Sequence, residues 1–132
     1  MKKNILLKFI QQVWNEGNAD AASEYIASTY TIYHDPGDPW DDMTLDLEGF
    51  KTRVLKLRAP IPDQYFEIQE IFEKDNCVAI TWLWHGSHLR EIADYPATGK
   101  RLRMSGATVY YFEGKHITGH WQITDRLSVY QQ

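Results

Sequence analysis

Residues 77–90 read Cys-Val-Ala-Ile-Thr-Trp-Leu-Trp-His-Gly-Ser-His-Leu-Arg. Val78, Ile80, Trp82, Trp84, Gly86 and His88 fall at every second position, the period of a strand with one buried face. The same period governs the flanks. Before this stretch, Phe66, Ile68 and Phe72 predict a strand from about residue 64, with Asp75-Asn76 as the turn. After it, Pro96-Ala97-Thr98-Gly99 breaks the chain. Strands over residues 100–112 and 116–127 follow, joined at Glu113-Gly114 as a tight hairpin.

Upstream the period changes to that of a helix. Ile5, Leu6, Phe9, Ile10, Val13 and Trp14 recur at three- and four-residue steps, and Gly17 is a natural stop. A short second helix is expected from Asn18 or Asp20, as N-cap, to about residue 26. Residues 28–44 read as a strand followed by a loop rich in Asp, Pro and Gly. Asp46 can cap a third helix that carries Phe50, Val54 and Leu57 inward, and Pro60 and Pro62 end it. Three helices followed by long antiparallel strands predict one α+β domain over residues 1–132, with helices gathered on one face of the sheet. Long strands twist, so a coiled sheet closed by helices leaves a cone-shaped hollow.

Composition narrows the function. The chain has 132 residues, a net charge of −4 and scattered basic residues, so no basic face for nucleic acid is expected. Aromatic residues reach 14%, more than packing alone requires in so small a domain, and pockets for organic ligands favour such side chains. No stretch approaches the ~18 apolar residues of a membrane span. Lys8 and the Gln-rich continuation interrupt what begins like a signal peptide, and the lone Cys77 fits a reducing compartment. The expected location is cytoplasmic. With Val78 and Ile80 as neighbours, Cys77 reads as a small buried core residue rather than a nucleophile.

No metal site is expected. His85 and His88 are three apart on a strand and point to opposite faces; His116 and His120 share a face but lie roughly 13 Å apart at strand rise. The acidic run from Asp35 to Asp42 lacks the alternating ligands and bidentate Glu of a calcium loop. Phosphate loops and nucleophile elbows are absent from the sequence. The last strand carries the strongest signal, with Thr118, His120, Gln122 and Thr124 alternating against Ile117, Gly119, Trp121 and Ile123. The polar set is either a solvated face or a row of hydrogen-bonding groups inside the hollow. Thr108 and Tyr110 repeat the pattern one strand earlier. Trp82, Trp84 and His88 share a face, and His34 opens the acidic loop.

At these residues the chain resembles the SnoaL-like polyketide cyclases (ester cyclases) of the nuclear transport factor 2-like superfamily. The resemblance runs over residues 9–127. It rests on Val13-Trp14-Asn15-Glu16-Gly17-Asn18 leading into Glu24-Tyr25-Ile26, on Gly86-Ser87-His88, and on Pro96-Ala97-Thr98-Gly99-Lys100. Gly106, Glu113-Gly114-Lys115, His120-Trp121 and Asp125 continue it in order.

The resemblance implies a cone-shaped α+β barrel with three N-terminal helices on a curved, mainly antiparallel sheet, a deep pocket, and a homodimer joined through the sheet. It also implies ring closure without a cofactor by intramolecular aldol chemistry, with a pocket Asp on the final strand as acid and base. Thr108 and Tyr110 stand where cyclases carry Gln and His, and His120 matches a family His. Gln122 falls at the catalytic Asp, and an amide cannot exchange a proton at neutral pH.

The expectation is a small apolar or aromatic ligand, with His120 and Gln122 as the catalytic pair. Ligand-binding residues are expected at His34, Trp82, Trp84, His88, Thr108 and Tyr110. Cofactor-free cyclisation, proton transfer or dehydration is the expected chemistry. The alternatives are a non-catalytic carrier or sensor, and an interaction module using the Trp-rich sheet.

Overall fold

The computed structural model describes residues 1–89 and 96–132. Helix α1 (Lys2–Phe9) continues without a break as a π-helical segment, Ile10–Asn15. Their apolar side chains Leu6, Phe9, Ile10, Val13 and Trp14 are all buried. Gly17 takes a positive φ of 76° and ends the run, as a left-handed stop requires. The expected second helix is a 3₁₀ segment, Ala19–Glu24, in which three small alanines rather than a long apolar stripe meet the core.

Strand β1 (Ile26–His34) leads through the acidic loop to a short strand, β2 (Thr44–Asp46), which pairs back on it and which the sequence pattern did not foreshadow. Helix α2 (Leu47–Arg58) starts where expected. The Asp46 carboxylate accepts the Gly49 N–H at 2.7 Å, a cap worth about 1 kcal/mol. Phe50 and Val54 are fully buried and Leu57 packs on the core.

Four long strands follow: β3 (Tyr65–Lys74), β4 (Cys77–Ser87), β5 (Arg101–Glu113) and β6 (His116–Thr124). The sheet order is β2-β1-β6-β5-β4-β3, and all neighbours are antiparallel except β1 with β6. The curved sheet holds its apolar face against α1, the π segment and α2. Strand β4 ends at Ser87; the expected end near residue 90 lies outside the described residues. The final strand ends at Thr124 rather than 127, because Asp125 caps a further helix, α3 (Arg126–Gln131), by accepting the Ser128 N–H.

Three register shifts overturn expectations built on unbroken alternation. In β3 the ladder passes from Ile68 opposite Trp82 to Glu70 opposite Thr81, leaving Gln69 extra. Beyond it the faces exchange, so Ile71 packs on the core and Phe72 is 60% exposed. In β6, Gly119 pairs with Tyr111 and Ile117 with Phe112, leaving Thr118 extra. Ile117, expected outside, is therefore fully buried, and Thr118 turns to a groove on the outer side with Ile26, Thr31 and Tyr33. In β1, Ile32 pairs with His120 and His34 with Trp121, leaving Tyr33 extra. Cys77 corrects a further reading. Its parity opposes buried Val78, and it is only half-buried.

Candidate functional site

Between the concave sheet face and the helices lies a cavity of ≈ 180 Å³. Its apolar wall includes Ile10, Trp14, Leu57, Phe66, Trp82 and Trp84. Its polar wall is built from Tyr30, Arg53, Tyr110, His120, Gln122 and Arg126. Trp82 owes its position to Gly106 directly across the ladder: a Cβ there would lie 2.3 Å from the indole ring. The missing side chain lets the ring lie across β5, where its Nε1–H donates to Thr108 Oγ1 at 2.9 Å.

From Thr108 a hydrogen-bond chain crosses the polar wall. Thr108 Oγ1 donates to Gln122 Oε1 at 2.6 Å, and Gln122 Nε2 donates to both oxygens of Asp35 at 3.1 and 3.2 Å. His120 Nε2 lies 2.9 Å from Asp35 Oδ2, and His120 Nδ1 lies 2.6 Å from the Tyr30 hydroxyl. A carboxylate only accepts, so the imidazole proton sits on Nε2, and Nδ1 accepts from the Tyr30 O–H. Asp35 also takes Arg53 Nη2 at 3.3 Å and Arg126 Nη2 at 3.1 Å. Asp38 pairs with the same two guanidinium groups at 2.8 and 3.6 Å.

Asp35 is completely buried. Burial pushes its pKa up, but the hydrogen bond from His120 and the charges of Arg126 and Arg53 outweigh it and hold the carboxyl below its ordinary value. The His120 imidazole moves down, because burial disfavours the cation more than Asp35 favours it. Burial likewise holds the Tyr30 phenol well above its usual range. The resting unit is thus a carboxylate, a neutral imidazole and a phenol in series.

The expected site residues divide. Trp82, Trp84, Tyr110, His120 and Gln122 meet at the cavity. Thr108 sits just behind the wall, bridging Trp82 and Gln122. His34 does not belong there. The extra residue at Tyr33 flips the strand, so His34 stacks on Trp121 at 4.8 Å on the outer face. His88 is buried but lies beyond the cavity wall, with Nδ1 3.3 Å from Thr98 Oγ1. Asp125, expected to be structural, is the cap of α3.

Sequence reasoning missed Asp35, Asp38, Arg53, Arg126 and Tyr30. Arg53 left a signal: it lies on the apolar face of α2 with Phe50, Val54 and Leu57, where a charge demands a partner. The strand flip that turns His34 out carries Asp35 in, and nothing in the local pattern marks it. Among the described residues, no group of three or more His, Cys, Asp or Glu is placed to hold a metal ion. Nor is any helix among them long and apolar enough to cross a membrane.

Known structures share this arrangement of elements. A candidate polyketide cyclase from Acidithiobacillus ferrooxidans is 56% identical, with a TM-score of 0.95 over 99% of this chain and 92% of that one. IdmH, a candidate polyketide cyclase from Streptomyces antibioticus, is 21% identical, with a TM-score of 0.83 over 99% of this chain and 96% of its own. AclR, a candidate hydroxylase from Streptomyces galilaeus, is 16% identical, with a TM-score of 0.80 over 96% and 90% of the two chains. The last two likenesses show the fold alone. No curated protein sequence matches significantly. Residues 4–132 match the sequence pattern of the SnoaL-like polyketide cyclases, and with that match over the coiled sheet and its cavity, the chain belongs to the SnoaL-like polyketide cyclase family.

Proposed function

We propose that this protein binds a small cyclic or aromatic molecule in its cavity and catalyses a cofactor-free, cyclase-type proton transfer on it. The observation that carries this reading is the Asp35–His120–Tyr30 series, which reaches the cavity wall through His120 and Tyr30. Gln122 stands where the family's acid/base carboxylate is expected, and Asp35 brings a carboxylate from the β1–β2 loop to its amide. Asp35 lies behind the wall and acts through His120. The resting imidazole is neutral at Nδ1, which is the state a base requires.

The chemistry follows from which proton can turn. The Tyr30 hydroxyl rotates about its C–O bond, so a ligand oxygen can replace Nδ1 as its acceptor. Nδ1 is then free to take the proton from the carbon next to that carbonyl. Asp35 holds the imidazolium that forms, and the Tyr30 O–H stabilises the enolate oxygen. Return of the proton, or attack of the enolate carbon on a second carbonyl, completes isomerisation or ring closure. The test is exchange of α-carbon hydrogen for deuterium in bound ketone probes, followed by NMR in D₂O. Acceleration that is lost in His120→Ala supports the reading. Binding with no acceleration in the wild type overturns it.

That second outcome is what a carrier gives. One observation favours the carrier: both His120 nitrogens are already engaged by Tyr30 and Asp35 of the chain itself.

We also propose a homodimer joined through the outer sheet face. Trp121 is 39% and Ile123 46% exposed there, beside the aromatic pair Tyr33 and Tyr111. Sedimentation as a monomer at micromolar concentration would count against it.

A further inference from the structure

Most donors around the polar wall are committed to the fold. Trp82 Nε1 donates to Thr108, Gln122 Nε2 and His120 Nε2 donate to Asp35, and the Tyr30 hydroxyl donates to His120 Nδ1. A ligand oxygen that takes one of these donors must first break a bond within the chain, which cancels much of the gain.

Tyr110 differs. It pairs with His120 across the β5–β6 ladder, and its ring lies 6.0 Å from the imidazole, beside which Tyr30 sits at 5.6 Å. A T-shaped contact with Phe9 at 6.1 Å holds the ring in place. Among the described residues no group hydrogen-bonds the Tyr110 hydroxyl. Nor is it one of the sealed polar atoms that lack a partner, so it keeps surface on the cavity that Tyr110 lines. Burial raises the pKa of this phenol more than the Arg53 charge lowers it, so at neutral pH it stays a donor.

We propose that Tyr110 anchors the ligand's carbonyl oxygen through its O–H, with the body of the ligand against Trp82 and Trp84. Anchoring there breaks no bond of the fold, whereas Tyr30 must leave His120 before it can reach the same oxygen. In proton transfer that oxygen becomes the enolate, and Tyr110 is then a second donor to it. The anchor rests on the reading of the cavity as a ligand site, but not on catalysis by His120.

The experiment is equilibrium dialysis of the full-length protein against two matched pairs, acetophenone with ethylbenzene and 1-tetralone with tetralin. Tyr110→Phe removes the hydroxyl and keeps the ring. It should weaken both ketones about fivefold, the scale of one neutral hydrogen bond, and leave both hydrocarbons within about twofold. Its urea midpoint should match the wild type, because no bond of the fold is lost. Tyr30→Phe should lower that midpoint and leave ketone affinity within about twofold.

Ketone affinity unchanged in Tyr110→Phe overturns the anchor, as does an equal loss for ketones and hydrocarbons. Ketone affinity lost in Tyr30→Phe instead would reverse the two roles. If none of the four probes binds the wild type, the ligand-site reading falls and the anchor with it. Deuterium exchange separates the two proposals: ketones held through Tyr110 but not exchanged leave the anchor standing and remove catalysis.

Discussion

The two faces of the sheet use similar residues for opposite ends. On the concave face, the polar groups around Trp82 form a chain of partners from the indole through Thr108 and Gln122 to Asp35. On the convex face, Trp121 and Tyr65 stack on His34 and His85 and stay partly exposed. Both faces hold Trp and His. The difference lies in whether each ring's polar atoms are committed to the fold or left at an open surface. Inward substitutions should therefore cost stability and chemistry, while outward ones should cost assembly.

The sharpest break of that contrast is Asp35→Ala. It leaves Arg53 buried with one carboxylate fewer and removes the acceptor of His120, so it should lower unfolding free energy by about 3–5 kcal/mol in a urea titration. A loss below 1 kcal/mol would mean that the network is dispensable. His120→Ala should lower the rate of α-carbon deuterium exchange about 10²-fold, with Gln122→Ala costing less. Gly106→Ala should cost about 1–3 kcal/mol, since its Cβ would drive Trp82 out of place and weaken aromatic ligand binding.

Acid should separate the faces by the same logic. Unfolded His takes up its proton near 6.5, but buried His120 resists until lower pH, so stability declines as pH falls below about 6.5. Asp35 adds a second loss, because its stabilisation is complete above 3.8 and disappears as pH falls through its lower folded value. In His120→Gln the first decline should flatten, as pH-dependent unfolding would record. The smallest effect on the monomer fold belongs to Trp121→Glu, within about 0.5 kcal/mol. For the proposed homodimer, its consequence should be a shift from dimer to monomer in sedimentation; an unshifted dimer would end the distinction between the faces.

Local pattern carried a good part of this molecule. The period-two run of residues 77–88 placed Trp82 and Trp84 on the concave face, and Asp46 marked the start of α2. His120 and Gln122 stood out as polar groups alternating with apolar ones. Those signals are local, because side-chain direction follows backbone period within one element. Asp35 shows where that stops. Alternation from Tyr30 and Ile32 points to His34 as the inward residue, and a single extra residue in β1 reverses it.

What the sequence by itself determined was the α+β class, the order of elements and the aromatic inner wall, each dictated by spacing along the chain. Only the tertiary structure decided which carboxylate meets His120, that Arg53 and Arg126 close the charge, and how large the cavity is. Residues as far apart as Asp35 and Arg126 meet only when the helices close over the coiled sheet. Bulges that aim them cost too little local energy to leave a mark in composition or period.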